Sequence, residues 1–452
     1  MPATRQDVLV EEIPVEVGAT ARHCLGMPPA RFLRDYWQKR PLLIRNAFPD
    51  FQPPLSPDDL AGLACMDGGL ARIVARTTAP PPSFRDHRRA QPATGPGIHL
   101  AVSSKIKMDP SLRRDDVKRK NTPVSRNNGK WSVSTGPFDD ATFAKLPETN
   151  WTLLVQDVDK WDADTAALLE HFKFIPSWRI DDVMVSYATD AGGVGAHVDQ
   201  YDVFLLQGLG QRHWSIDTRP NPSTAFRDDV ELKLLREFHP THTWTLDPGD
   251  MLYLPPGVPH DGGAVGECMT FSIGMRAPAA GELLFDFAGH VAEALPESLR
   301  FADPDLKPAG DAGEIDAAAL HRARRAVGPA SAALDDDAFA DWFGGFITRY
   351  HAAQVPAPRK RGVDRASLAE RLPRVVLERD PWTRFAWRRR KRDARLYAAG
   401  AAFDAPLGWA RELASGARVS DGARLARLPQ QARGMALLAA LIDAGHLHLR
   451  KR

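Results

Sequence analysis

The chain has 452 residues, 43% of them hydrophobic and 26% charged, with a formal net charge of +2. That length suits two or three domains and that balance a soluble globular protein, which excludes a disordered, fibrous or uniformly basic chain. The cysteines, Cys24, Cys65 and Cys268, are dispersed and in no CxxC arrangement, which excludes a cysteine zinc site or disulfide framework and suits a reducing cytoplasm.

The N-terminal stretch MPATRQDVLVEEIPVEVG is acidic and has no apolar core, so no secretory signal is expected. From 30 to 48, ARFLRDYWQKRPLLIRNAF changes period: its first half suits an amphipathic helix and PLLIRNAF a short buried strand. Residues 76–128 break the pattern with PPP, PATGPG and the run RRDDVKRK, and hold twelve Lys/Arg against four Asp/Glu. So few large apolar residues cannot offset the ordering entropy, and the segment reads as a disordered insertion. A solvated loop and a nucleic-acid arm are both compatible with its charge.

DADTAALLEHF (162–172) reads as a helix capped by Asp162 or Asp164. From 179 to 277 strand signals dominate, punctuated by the turn sequences DAGG, GLG, DPGD and PPGVP, which predicts an antiparallel sandwich or barrel. Ala-rich helical periodicity begins near Gly281 in GELLFDFAGHVAEAL and DDDAFADWFGGFITRYH. A small mixed module starts near Arg361, with RFAWRRRKRDARLYAAG and PQQARGMALLAALIDAGHLHLRKR. The apolar stretch GMALLAALIDAG is too short to span a bilayer and contains an acid, so no membrane association and a cytoplasmic location are expected. The expected class is α+β, divided as 1–280, 281–360 and 361–452.

Within GGVGAHVDQYD (192–202), strand alternation sends His197, Asp199, Tyr201 and Val203 to one face and Gln200 and Asp202 to the other. An imidazole and a carboxylate so placed are two corners of a facial triad, which needs a second histidine and suits non-haem Fe(II). HxD alone is weak, because an acid follows any histidine at that spacing about once in eight by composition. Among the fourteen histidines only His197 has one. Downstream, LPPGVPH presets the backbone before His260, which is then aimed as a third ligand; the alternative is a solvated turn histidine.

Arg212, after GLG in FLLQGLGQRHW, offers a planar fork for a carboxylate beside Trp214 and Ile216, although a surface hairpin arginine has the same sequence. His213 has the opposite parity and reads as non-ligating. In RIDDVMVSYA, Asp182, Met184 and Ser186 share a face; in ECMTFSIGMRAP, Thr270 and Ser272 do. Ser186 and Thr270 are candidates for co-substrate contact, and Asp182, Tyr201 and Ser272 for substrate contact. An inward Asp182 costs stability unless paired, by a cationic substrate or by an internal salt bridge.

GGVGAHVDQYDVFLLQGLGQRHW, LPPGVPH, DYWQKRPLLIR and NWTLLVQDVDKW resemble the bacterial Jumonji-C ribosomal oxygenases of the cupin superfamily. The resemblance covers roughly 25–75 and 129–290, and continues more loosely through the helical region. It implies a double-stranded β-helix (jelly-roll/cupin) core, a helical dimerisation region from Gly281 to about Tyr350 and a C-terminal winged-helix-like module. It implies His197, Asp199 and His260 as ligands of Fe(II), Arg212 as partner of the 2-oxoglutarate C5 carboxylate, and Asp182, Met184, Tyr201 and Ser272 around a substrate arginine. Thr270 stands where a relative has asparagine. The implied reaction uses 2-oxoglutarate and O2 to 3-hydroxylate an arginine of large-subunit ribosomal protein sixteen, in a homodimer. Two rivals are a cupin metalloprotein that does not use 2-oxoglutarate, and an RNA- or ribosome-binding adaptor acting through RRRKRDAR (388–395) and the basic insertion, with a histidine or other side chain as target.

Overall fold

The structure, a computed structural model, describes residues 13–76, 131–296 apart from 231, 356–451 apart from 416 and 417, and shorter stretches between 298 and 349. The segment read as a disordered insertion, 76–128, lies outside the described residues except for Arg76. Backbone contacts group the chain into two compact units, Met1–Ala277 and Pro278–Arg452.

Among the described residues, ten strands build the first unit: β1 (Glu16–Gly18), β2 (Leu42–Arg45), β3 (Ala71–Arg76), β4 (Trp131–Thr135), β5 (Trp151–Val155), β6 (Ile180–Ala188), β7 (Val203–Ile216), β8 (His242–Leu246), β9 (Met251–Leu254) and β10 (His260–Met275). Their order is β1-β2-β9-β7-β10-β6-β5-β3-β4, with β8 on β7. The pairs are antiparallel except β1 with β2. The long strands organise the sheet. The first part of β7 pairs β9 and the end of β10; its last part pairs β8 and the start of β10. The result is the expected double-stranded β-helix.

Strands buried on both faces explain the continuous apolar runs. In β2, Leu42 and Ile44 join the large core with Phe32, Tyr36, Phe204 and Tyr253, whereas Leu43 joins Val203, Leu205, Trp214 and Ile216 inside the barrel. The helix expected before β2 is Pro29–Asp35. The helix expected over 162–172 is split: Asp162 caps Ala163–Ala167 by accepting from the Thr165 N–H, and a 3₁₀ turn completes Leu168–Phe172.

GLG is not a turn. It is a bulge inside β7, where the register to β10 slips between the Gln207–Thr270 and Leu209–Met269 pairs. The glycines are needed there: Gly210 has φ +58°, and a Cβ on it would meet the Glu267 carbonyl, while one on Gly208 would meet the Phe271 ring. Arg212 therefore lies on the same strand as Val203, not one strand on. The bulge reverses parity, so Val203 and Leu205 before it and Arg212 and Trp214 after it face the same interior.

The second unit contains the helices Ala280–Ala294 and Asp336–Thr348, as expected from the periodicity. Among the described residues, the helices Arg365–Arg371, Leu407–Leu413, Gly422–Leu425 and Gln431–Asp443 pack with two three-stranded sheets. These are β11 (Val375–Arg379), β15 (Val419–Asp421) and β16 (Leu447–Lys451), and β12 (Phe385–Arg389), β13 (Asp393–Ala398) and β14 (Ala401–Pro406). Trp409, Leu396, Leu438 and Leu441 are among the side chains that fill its core. Among the described residues, no helix is long and apolar enough to cross a membrane.

Candidate metal centre and anion pocket

His197 and His260 face each other across an isolated antiparallel bridge, each backbone N–H donating to the other's carbonyl at 3.0 Å. The Nδ1 of His197 lies 2.8 Å from the Gly195 carbonyl and that of His260 2.9 Å from the Val258 carbonyl. Each carbonyl fixes the proton on Nδ1 and leaves Nε2 free as a ligand. Both Nε2 atoms point at Asp199 Oδ2, at 3.9 Å from His197 and 3.7 Å from His260. One ligand atom from each residue falls within 4.8 Å of the others, and the three are the group of this kind found among the described residues. The PPGVP turn is tied to the same point, because the Gly257 N–H donates to the Asp199 carbonyl at 2.8 Å.

The electrostatics suit a cation. Burial and the neighbouring His197 push His260 down to about 3, so its ring is neutral near pH 7. Burial raises Asp199, while His197 and the Tyr201 hydroxyl hold it back towards the ionised form. Two imidazoles and a carboxylate on one side of an open space fit a divalent metal with vacant positions, as the facial triad requires.

The triad opens on a cavity of about 420 Å³. Nine of the ten residues singled out from the sequence line it: Asp182, Met184, Ser186, His197, Asp199, Tyr201, Arg212, His260 and Ser272. Thr270, the tenth, stands behind Arg212. Arg212 is 5% exposed, and among the described residues no carboxylate lies within 4 Å of it. Its Nη1 donates to Ser186 Oγ at 3.0 Å and Thr270 Oγ1 at 3.1 Å, its Nε has no partner, and its guanidinium lies 5.5 Å from the Trp214 ring. An uncompensated guanidinium buried in this way is a receptor for an anion. His213, by contrast, is exposed.

Asp182, half-buried on the cavity wall, also lacks a counter-ion: among the described residues no basic side chain comes within 4 Å. Its Oδ2 accepts from the Asp157 N–H at 3.0 Å. Burial first, then the charges of Asp157, Asp159 and Asp181, push it up to about 7. The internal salt bridge is therefore not what holds it. Tyr201, 41% exposed, stands at the cavity mouth.

Two expectations need correction. Residues 198–202 are not part of a regular strand; only His197 makes a bridge. Asp202 does not point outward. It is fully buried, accepting from Tyr253 Oη at 2.7 Å and Gln38 Nε2 at 2.9 Å, with Arg179 Nη2 at 3.6 Å. Partners 23 to 164 positions away outweigh local alternation there. Sequence reasoning also missed Lys233 and Leu234, which reach the cavity from the connection between β7 and β8, and Gln207, behind it. The signal for Gln207 was an amide inside the apolar strand FLLQGLG.

Comparison with known proteins agrees with this geometry. Residues 167–283 match the JmjC domain family and residues 330–448 the ROXA-like winged helix family. The ribosomal protein uL16 3-hydroxylase of Escherichia coli K12 is 33% identical over 335 residues, 72% of this chain and 73% of that protein. The chain belongs to the ribosomal oxygenases. A probable ribosomal oxygenase of Haemophilus influenzae is 33% identical over 279 residues, 62% of this chain and 55% of that relative. The crystal structure of the E. coli ribosomal oxygenase YcfD, solved with cobalt and 2-oxoglutarate, aligns with a TM-score of 0.68 at 30% identity, covering 94% of this chain and 99% of that one. The family resemblance in HVD, LPPGVPH and NWTLLVQDVDKW thus extends along most of the chain, including the winged-helix module.

Proposed function

We propose that this chain is an Fe(II)- and 2-oxoglutarate-dependent protein hydroxylase that 3-hydroxylates an arginine of large-subunit ribosomal protein uL16. The observation that carries it is the His197–Asp199–His260 group opening on one cavity with the uncompensated Arg212. His197, Asp199 and His260 would hold the iron, which when bound supplies oxygen activation coupled to oxidative decarboxylation of the co-substrate. Arg212, held by Ser186 and Thr270, receives the far carboxylate of 2-oxoglutarate. Trp214 keeps water from that pair, and the dry surroundings strengthen it.

Asp182 selects the substrate. A carboxyl held near 7 for want of a counter-ion ionises fully when a guanidinium arrives, so arginine binding releases a proton. Met184 and Ser272 flank Asp182 on the cavity wall, and Tyr201 borders the entrance while donating to Asp199. The same geometry disfavours a metalloprotein indifferent to 2-oxoglutarate, for which a buried, unpaired Arg212 is only a cost.

The chain acts as a cytoplasmic homodimer in this reading. The helix Ala280–Ala294 supports the dimer, because Leu284 and Phe285 stand 67% and 84% exposed on it. Among the described residues, ribosomal RNA contact would fall on the β12–β13 hairpin tip. Arg388, Arg390 and Arg395 of RRRKRDAR pair with Asp337, Asp341 and Asp404, whereas Arg389, Lys391 and Arg392 are exposed. Succinate release with Fe(II), 2-oxoglutarate and ribosomal-protein peptides tests the central reading. Turnover on a uL16 peptide containing the target arginine is expected, and release that is the same with and without peptide would oppose it.

A further inference from the structure

Three polar side chains stand in a row across adjacent strands beneath Arg212. Thr270 of β10 pairs with Gln207 of β7 on one side and Ser186 of β6 on the other. Gln207 is fully buried, and nothing in the reaction described so far uses it. Its Nε2 donates to the Leu209 carbonyl at 2.9 Å and the Gly210 carbonyl at 3.2 Å, so its Oε1 must face Thr270. The Thr270 hydroxyl donates to that Oε1 at 3.0 Å. A hydroxyl has one hydrogen, and spending it on Gln207 turns a lone pair towards Arg212 Nη1, 3.1 Å away. Ser186 is set in the same sense, its Oγ donating to the Thr270 carbonyl at 3.5 Å. Both hydrogens of Nη1 are thus absorbed, and the donors of Nε and Nη2 are left for a ligand.

We infer that Gln207 is the positioning residue for the co-substrate: it fixes the Thr270 hydrogen so that Arg212 is held with its free edge towards the incoming carboxylate. The same amide, by holding the carbonyls of Leu209 and Gly210, fastens the bulge that brings Arg212 onto the cavity side. The inference rests on the reading of Arg212 as the 2-oxoglutarate partner. Without Gln207, Thr270 can rotate its hydrogen towards the guanidinium, and the row no longer specifies one orientation.

The test is a double-mutant cycle on the full chain loaded with Mn(II), with 2-oxoglutarate affinity measured by calorimetry. Gln207→Met and Thr270→Val should each weaken binding by roughly tenfold, as for one hydrogen bond to a charged group. The double variant should lose no more than the weaker-binding single, because both remove one relay. Thr270→Ser, which keeps the hydroxyl, should recover most of the affinity that Thr270→Val loses, and KM for the uL16 peptide should not move in Gln207→Met. Unchanged affinity in Gln207→Met, or losses that multiply in the double variant, would overturn the relay. Where Gln207→Met does not fold, Thr270→Val, which removes the other end of the relay, carries the test, and unchanged affinity there overturns the relay too. Should Arg212→Met bind 2-oxoglutarate normally, the co-substrate reading itself fails and takes this inference with it. Loss in Arg212→Met with none in Gln207→Met defeats the inference alone.

Discussion

Replacing Asp182 with asparagine should make the protein more stable and a worse catalyst, and the gain in stability should depend on pH. The side chain keeps its shape and can still accept from the Asp157 N–H. What it loses is a carboxyl whose folded-state pKa is raised from 3.8 to about 7 by burial and by Asp157, Asp159 and Asp181, with no cation opposing them. Below the unfolded value the carboxyl is neutral in both states and costs nothing. As pH rises the unfolded chain ionises first, so stability is lost until the folded carboxyl ionises too. The penalty relative to asparagine is about 2 kcal/mol at pH 5 and reaches about 4 kcal/mol by pH 8. Denaturant unfolding followed in the two variants between those pH values measures the difference. A difference that is flat with pH, or an asparagine variant that is less stable at pH 8, would show that Asp182 is ionised and paired in the fold, and would refute this account of substrate charge selection. In the parent, KM for an arginine peptide should fall as pH rises through 7, and asparagine should abolish that dependence.

Arg212→Met should eliminate 2-oxoglutarate binding while leaving the melting temperature unchanged or raised, since an uncompensated buried cation is removed; calorimetry and thermal unfolding read the two effects. Mn(II) at a hundredfold excess over its Kd should stabilise the parent by about 2.7 kcal/mol, an effect that His260→Ala should lose and that a chelator should reverse. Phe285→Asp, on the exposed face of Ala280–Ala294, should shift the sedimentation of the chain from dimer to monomer without altering peptide hydroxylation.

Much of the fold follows from patterns that local physics enforces. PLLIRNAF reads as a buried strand because its apolar run is continuous and too short for a helix, and β2, Leu42–Arg45, is buried on both faces. The metal group was legible because LPPGVPH stiffens the approach to His260 and HxD spaces its two donors on one side. Parity counting failed where the backbone leaves regular alternation. Asp202 is drawn inward by Tyr253 and Gln38, neither predictable from its neighbours. Arg212 was placed on the correct side for an incomplete reason, since GLG was read as a turn and a bulge does the work of reversing the face. Gln207 stood out only as an amide inside an apolar strand; its role is defined by Thr270 and Ser186, brought beside it by strand pairing.

The central claim is that His197, Asp199 and His260 form the centre that hydroxylates a uL16 arginine. Its most direct test is mass spectrometry of uL16 from a strain lacking this protein, complemented with the parent chain or with His197→Ala. The account predicts that the arginine loses one oxygen in the deletion strain, regains it with the parent, and does not regain it with His197→Ala. An arginine still hydroxylated in the deletion strain, or restored equally by His197→Ala, would contradict it.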